Sequence, residues 1–131
     1  MKIIRTQEEF DALGREIRDR VELTGRVILD HVISVVGAGE IHMFGGAEIY
    51  IVAGGDLVVD AGGSILVDGA SRLHADGGLL RIVADGQVIV SADGEVRVSG
   101  SGGVYVGTSA RLYVGDGSVV HVYSGSVIHI D

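Results

Sequence analysis

Hydrophobic and polar residues alternate along most of this chain, and the alternation repeats every eight residues. In residues 54–69, GGDLVVDAGGSILVDG, the same order occurs twice: glycines, a polar residue, an aliphatic, any residue, an aliphatic and an aspartate. A period of two is the signature of a β-strand with one face buried. The residues between the aliphatic pairs are mainly Gly, Asp, Ser and Ala, which favour corners. We therefore predict five-residue strands joined by three-residue corners.

The repeat continues through 13 octads between residues 33 and 130. One residue is missing in the segment DGGLL, at 76–80, after which the phase resumes. The predicted inward pairs are Ile33/Val35, Ile41/Met43, Ile49/Ile51, Leu57/Val59, Ile65/Val67, Leu73/Ala75, Leu80/Ile82, Val88/Val90, Val96/Val98, Val104/Val106, Leu112/Val114, Val120/Val122 and Ile128/Ile130. None of these side chains is polar, which predicts one continuous aliphatic core.

Strict repeats of this kind are typical of a solenoid. We predict an all-β fold, a parallel β-helix of about 13 octad strands with a short N-terminal α-helix that caps one end. Three windings are compatible with the period: a triangular helix with 24 residues per coil and about four coils, a flattened roll with 16 per coil, and an antiparallel meander or barrel. The triangular winding is favoured because it stacks Glu48, Arg72 and Glu95 as acid, base and acid.

The N-terminal residues break the octad pattern. Thr6 followed by Glu9 is a capping box, which predicts the start of a helix. Phe10, Leu13, Ile17 and Val21 have the spacing of one helix face. We predict a single domain, 1–131, in which residues 1–24 form a strand and helix cap and residues 25–131 form the solenoid. The C-terminal residues carry no such signal, so an uncovered final coil predicts end-to-end association or a short tolerated edge strand.

Composition narrows the possible functions. The chain has 131 residues, 47% of them hydrophobic but only 5% aromatic, and it contains 22 glycines, no proline and no cysteine. Its net charge is −8, and residues 31–131 hold four arginines against eleven acids. Such an acidic body repels nucleic-acid phosphates, so direct DNA or RNA binding is not expected. The absence of cysteine excludes a thiol nucleophile and a Cys-based zinc site.

The octads from GEIHMFGG to SVIHID resemble the parallel β-helix or β-solenoid proteins as an architectural class. That class includes bactofilin-like cytoskeletal filaments, phage fibre and tail modules, ice-binding proteins and polysaccharide-degrading enzymes. Ice-binding members use a flat array of threonines, whereas this chain has only Thr6, Thr24 and Thr108. The period of eight also differs from the nonapeptide of calcium-binding β-rolls. The resemblance implies a bactofilin-like or phage-fibre-like structural role.

With 24 residues per coil, the central outward residues sort into three strips. Two of them are candidate sites. The apolar strip, a predicted interface, comprises His42, Phe44, Leu66, Ile89 and Tyr113. The polar strip, an alternative binding site, comprises Tyr50, His74, Arg97, His121 and Tyr123. The third strip contains Ser34, Val58, Arg81, Tyr105 and His129.

Contiguous exposed apolar residues mark interaction surfaces, so we expect the apolar strip to contact a protein partner or a second copy of the chain. The alternatives are a glycan-binding module on the polar strip, with weak polysaccharide lyase activity as its catalytic version, and an acidic phage-type inhibitor of a basic host protein. We expect no enzyme activity, no catalytic residue, no metal and no cofactor, because corners of three residues are too short to form the sides of a cleft. We expect a homo-oligomer that binds no membrane.

The first residues contain no signal peptide and no stretch long enough to cross a membrane. The expected location is the cytoplasm, or a virion if the protein is a phage component.

Overall fold

The computed structural model describes residues 2–91, 93–107, 109–115, 117–122 and 127–130. One short helix and a succession of short strands make up this part of the chain. In chain order the elements are β1 (Lys2–Ile4), α1 (Gln7–Asp11), β2 (Glu16–Ile17), β3 (Arg20–Leu23), β4 (Arg26–Leu29), β5 (Val32–Val35), β6 (Glu40–Met43), β7 (Glu48–Ile51), β8 (Asp56–Val59), β9 (Ser64–Val67), β10 (Arg72–Asp76), β11 (Leu79–Ile82), β12 (Gln87–Val90), β13 (Glu95–Ser99), β14 (Gly103–Val106), β15 (Arg111–Val114), β16 (Val119–Val122) and β17 (Val127–Ile130).

The strands form three parallel sheets, and the chain visits them in a fixed rotation. Sheet A has the order β1-β3-β6-β9-β12-β15, sheet B the order β2-β5-β8-β11-β14-β17, and sheet C the order β4-β7-β10-β13-β16. Each strand from β2 to β14 therefore pairs with the strand three places further along the chain. The protein is a three-sided β-solenoid of about five turns, as the triangular winding predicts. A two-sided roll or an antiparallel meander would pair different strands.

The register follows the predicted period, including its single interruption. Ile41 lies opposite Ile65, Ile65 opposite Val88, and Val88 opposite Leu112. The middle step is one residue shorter because the corner after β10 has lost a residue. Since the same kind of side chain recurs at each step, every turn places its aliphatic pair directly over the pair of the preceding turn.

Those pairs fill the interior of the solenoid. All predicted inward residues from Ile33 to Val106 are buried, none more than 5% exposed. Further along, Leu112 and Val120 are only partly buried, and Val114 is 46% exposed. The side chains of Val122, Ile128 and Ile130 lie outside the described part of the structure. Full burial of one aliphatic side chain contributes about 1.5–3 kcal/mol, so this stack is the main source of stability.

The N-terminal region differs from the prediction. The capping box is confirmed, with the Glu9 amide donating to Thr6 Oγ1 at 3.2 Å and the Thr6 amide donating to Glu9 Oε1 at 3.1 Å. The helix ends at Asp11, however, and Gly14 adopts a left-handed conformation. The predicted helix face is therefore wrong beyond α1: Ile17 lies on β2 and Val21 on β3, and both are buried.

These early strands belong to the solenoid itself. β1 and β3 pair in sheet A, and β2 pairs with β5 in sheet B, so the coils begin well before residue 25. This is why the structure has about five turns rather than four.

In the first turn α1 occupies the place of a sheet C strand, which leaves that sheet one strand smaller than the others. The side-chain amide of Gln7 makes hydrogen bonds to β4 that the backbone of a strand would otherwise make. Its Oε1 accepts from the Ile28 amide at 2.6 Å, and its Nε2 donates to the Ile28 carbonyl at 2.9 Å. Phe10, which is 2% exposed, fills the core beneath. The predicted helical cap at one end is thus confirmed.

The corners bring successive turns into close contact. Gly63, directly before β9, passes so near the preceding turn that a Cβ atom there would overlap the carbonyl oxygen of Val35. Its neighbour Gly62 has a φ of +87°, and a Cβ atom there would lie in ordinary van der Waals contact, 3.5 Å from the carbonyl oxygen of Gly37. The corners thus need glycine for two separate reasons, close approach and left-handed backbone. Within the described residues, no helix has the length and apolarity to cross a membrane.

Candidate functional site

The apolar strip forms one column on the outside of sheet A. His42 lies opposite Leu66, Leu66 opposite Ile89, and Ile89 opposite Tyr113. Phe44 lies beside the column, its ring centroid 5.3 Å from that of His42. The sequence period therefore brings all the predicted residues together.

The members of this strip differ in how far they reach solvent. Tyr113 is 44% exposed, whereas His42, Leu66 and Ile89 are half-buried because the side chains above and below cover them. Leu66 and Ile89 are therefore less exposed than expected from the sequence. They still form the outer wall of the sheet, with Ser64 and Gln87 next to them on the same strands.

Charges on this face lie along its sides and at its N-terminal end, where Glu22 stands opposite His42 in the column. Arg20 and Glu40 form an ion pair with 3.0 Å between Nε and Oε2. His42 Nε2 lies 3.7 Å from Asp68 Oδ2. The middle of the sheet A face, around Leu66 and Ile89, is uncharged and only partly covered, which are properties of a protein contact surface.

The polar strip forms the corresponding column on sheet C. Tyr50 lies opposite His74, His74 opposite Arg97, and Arg97 opposite His121. The rings of Tyr50 and His74 are 5.2 Å apart between centroids. Tyr123, the last predicted member, lies outside the described residues.

A second column on sheet C carries alternating charges. The sequence prediction that Glu48, Arg72 and Glu95 stack is confirmed, and Arg26 extends the series. Arg72 Nε donates to Glu95 Oε2 at 3.1 Å, and Arg97 Nε donates to the same oxygen at 2.9 Å. Arg26 lies over the Tyr50 ring, 4.7 Å from its centroid. Arg97, the cation of the polar strip, is therefore already paired with a carboxylate.

The ion pairs determine how these groups titrate. Burial alone would raise the pKa of Glu95, but the hydrogen bonds from Arg72 and Arg97 outweigh it and lower that pKa. Burial likewise opposes the charge of Arg72, and the hydrogen bonds to Tyr50 and Glu95 overcome it and raise the Arg72 pKa. Both side chains are consequently more firmly charged than in water, which fits a structural charge ladder.

His74, Ser99 and Asp76 form a hydrogen-bonded series beside this ladder. His74 Nε2 is 2.7 Å from Ser99 Oγ, and Ser99 Oγ donates to Asp76 Oδ1 at 3.1 Å. Because the serine proton points to the aspartate, Nε2 of His74 must carry a proton and donate to Ser99. Burial, its largest influence, lowers the pKa of His74, and Arg97 and Arg72 lower it further against the opposing effect of Asp76.

The same residue types occur in hydrolytic triads, but the connectivity here is different. A nucleophilic serine needs a histidine nitrogen that accepts its proton, and the aspartate must orient that histidine. Here Asp76 accepts the hydrogen bond of the Ser99 hydroxyl, so His74 is not positioned as a general base. The arrangement suits a fixed surface network better than acyl transfer.

Sheet B carries an apolar surface that the three predicted strips do not describe. Val58 lies at its centre, and half-buried or exposed aliphatic side chains surround it diagonally, either on the neighbouring strands or directly after them: Val32, Val36, Leu79 and Val83. Arg81 interrupts this surface and forms an ion pair with the buried carboxylate of Asp56. The sequence signal was the loss of alternation in VISVV, at 32–36, and LLRIV, at 79–83, where outward positions are also aliphatic.

The third strip is in register on sheet B as well. Ser34, Val58, Arg81, Tyr105 and His129 follow one another across β5, β8, β11, β14 and β17.

A further opening lies at the C-terminal end of the solenoid. Inner-wall and outer residues of the last turn line a groove there: Val106, Ala110, Arg111, Leu112, Tyr113, Val114 and Val120. Among the residues that the structure describes, no group of three or more His, Asp or Glu side chains is arranged to hold a metal ion.

Comparison of the chain with family models, with curated proteins and with solved structures finds no match. The class of the protein therefore rests on its own architecture, that of a parallel β-solenoid.

Proposed function

We propose that this protein is a non-enzymatic structural or interaction module, a short β-solenoid whose flat walls bind a protein partner or another copy of the chain. The observation that carries the proposal is the uncharged, half-buried centre of the sheet A column, around Leu66 and Ile89, above an interior filled mainly by aliphatic side chains. Because the core is packed from Ile33 to Val106, the outer walls are the surfaces on which we expect binding.

The flatness of those walls supports contact with a macromolecule over contact with a small substrate. Small-molecule sites are concave and bury most of their ligand. The His74, Ser99 and Asp76 series lacks the connectivity of a catalytic triad, and the cation Arg97 is held by Glu95. These contacts support a stable wall and do not favour catalysis.

A photo-crosslinking residue at position 89 tests the proposal. In the purified protein and in an extract of the source organism, we expect position 89 to give a discrete crosslink to one protein or to a second copy. Leu66→Lys should abolish that crosslink, because it puts a charge in the middle of the apolar strip. The control is position 28, an outward isoleucine on sheet C; equal crosslinking at positions 28 and 89 would exclude a contact specific to sheet A.

Glycan binding on the polar strip is a second hypothesis. The adjacent rings of Tyr50 and His74, with Arg97 one turn further on, are suited to stacking on a sugar and pairing with its acidic group. A glycan array should then show binding to anionic sugars that Arg97→Ala abolishes. If the protein binds no acidic sugar on the array, this hypothesis is refuted.

The acidic inhibitor remains a third prediction, supported by the net charge of −8. It predicts capture of basic host proteins that is lost at high salt, because screening weakens contacts between exposed charges.

A further inference from the structure

The C-terminal end of the solenoid exposes part of its inner wall. Val88 and Val90, on β12, are completely buried, whereas the residues opposite them in the next turn are not. Leu112 is half-buried, and Val114 is 46% exposed although it belongs to an inward position. The last described turn thus leaves apolar core residues without a covering layer.

The backbone at this end is open too. β15, β16 and β17 are the last strands of sheets A, C and B, and within the described residues no strand pairs with their outer edges. Edges of this kind accept further strands. Partly exposed core residues, together with strand edges that no further described strand extends, favour another β-structure as the occupant.

The opposite end is blocked on one side. At the N-terminal edge of sheet C, Gln7 already binds the amide and the carbonyl of Ile28, and α1 covers that strand. A second copy arriving head to tail would need to pair its β16 with β4, where it would meet α1. Head-to-tail stacking therefore cannot continue all three sheets.

The distribution of charge favours contact between two C-terminal ends. Two copies of a chain with a net charge of −8 repel each other over most of their surfaces. Residues 98–131, however, contain Arg111, Asp116 and Asp131 as their only charged side chains, taking histidine as neutral. Arg111 NH1 donates to the Tyr113 hydroxyl at 2.8 Å. This part of the chain thus carries few charges, so repulsion between two copies is weak there.

We propose that the protein forms a closed dimer in which two copies meet through their C-terminal ends. The two-fold axis is perpendicular to the solenoid axis. Such an axis maps one side of the triangle onto itself and exchanges the other two. One sheet therefore continues antiparallel into its own copy, while each of the remaining sheets continues into the other, and aliphatic pairs face aliphatic pairs. This inference rests on the proposed structural role and specifies its partner as a second copy of the chain.

Sedimentation velocity over a range of concentrations tests the dimer. We expect a monomer–dimer equilibrium without larger species, and Val114→Asp should weaken it at least tenfold. The matched control is Ile28→Asp, because Ile28 is 50% exposed on sheet C near the opposite end; it should leave the equilibrium unchanged. Circular dichroism confirms that each variant is folded. A protein that stays monomeric at concentrations up to about 1 mM would overturn the proposal, because a dissociation constant above that value is too weak for a specific complex.

Distances between spin labels distinguish the possible arrangements even if Val114→Asp fails to fold. The chain has no cysteine, so Val119→Cys and Ile28→Cys each provide one labelling site, at opposite ends of sheet C. Since four strand spacings separate these sites, the 119–119 distance in an end-to-end dimer should be shorter than the 28–28 distance by about 40 Å. Equal distances would indicate head-to-tail stacking and contradict the proposal.

Different experimental outcomes would refute the proposed C-terminal contact and the proposed sheet A contact surface. A dimer that is lost with Leu66→Lys but kept with Val114→Asp would refute the C-terminal contact and support the sheet A wall as the self-association surface. A dimer lost with Val114→Asp alone would support the C-terminal contact and leave crosslinking at position 89 as the test of the wall.

Discussion

Ser71 is a polar exception in an otherwise apolar interior. It lies at the corner before β10 and is completely buried, and its hydroxyl has no hydrogen-bond partner among the described residues. Register places it between Ala47 in the preceding turn and Gly94 in the next. An unpaired buried hydroxyl is unfavourable, so this position tests how strictly the core excludes polar groups.

Replacing Ser71 with alanine should stabilise the protein by about 1 kcal/mol, because the unpaired hydroxyl is removed while the backbone keeps its shape. The reverse change at the equivalent position, Ala47→Ser, should destabilise it by a similar amount. Urea unfolding measures both. A loss of stability in Ser71→Ala would mean that its hydroxyl is hydrogen-bonded in solution.

His74 should make stability depend on pH. Its pKa is lowered in the folded state, chiefly by burial, from an ordinary value of 6.5. As the pH falls below 6.5 the unfolded chain therefore takes up a proton before the folded protein does, and stability decreases until the folded pKa is passed. His74→Gln should remove this part of the pH dependence, measured by urea unfolding at several pH values, whereas His31→Gln should retain it. An unchanged slope in His74→Gln would contradict the prediction.

At the scale of elements, the strands were predictable and the helix only in part. All the predicted octads up to β17 coincide with strands because a buried period of two leaves few alternatives. The start of α1 followed from the capping box, but Ile17 and Val21 satisfy both a helical and a strand spacing. Gly14 was the available sign that the helix had ended. In the first turn α1 replaces a sheet C strand. This replacement depends on packing between residues distant in sequence, so the local spacing of residues could not predict it.

Gln7 should be important because it pairs the edge of β4. Gln7→Ala is expected to destabilise the protein by about 1 kcal/mol, since two backbone groups of Ile28 lose their partner and must bind water. Glu8→Ala, on the same helix but exposed, should cost no more than about 0.5 kcal/mol through the helix dipole. Thermal or urea unfolding gives both values. Equal effects would show that Gln7 stabilises only the helix.

The two kinds of corner glycine should respond differently to alanine. Gly62→Ala is expected to cost about 1 kcal/mol, the penalty of a left-handed backbone with a Cβ atom. Gly63→Ala should cost about 3 kcal/mol or more, because the new Cβ atom overlaps the backbone of the preceding turn. Denaturant unfolding of this pair separates backbone strain from close approach. Similar losses in the two variants would contradict that separation.

At the scale of the whole molecule, the period predicted which side chains stack but not what they do there. Once 24 residues per turn were assumed, the columns containing Leu66 and Ile89, or His74 and Arg97, followed directly, and the register confirms them. Sequence spacing could not give the half-burial of Leu66 or the bond from His74 to Ser99. Both depend on how far side chains reach across neighbouring turns, which is a property of packing.

The missing residue at the corner after β10 can be restored experimentally. Inserting a glycine between Asp76 and Gly77 would make this turn equal in length to its neighbours, and we expect native stability to fall by no more than about 1 kcal/mol because the insertion lies in a corner. Refolding, followed by stopped-flow fluorescence of the tyrosines, should become slower and multiphasic. Single-phase refolding at the original rate would contradict this expectation.

That expectation follows from the similarity of the turns. When every turn has nearly the same aliphatic pair, a strand can pair one turn out of register with little loss of free energy, and such mispairing is characteristic of repeat proteins. The short corner makes one turn different from the rest. We therefore expect this corner to distinguish the correct strand pairing from pairings shifted by one turn during folding. A perfectly uniform solenoid would contain no turn that makes this distinction.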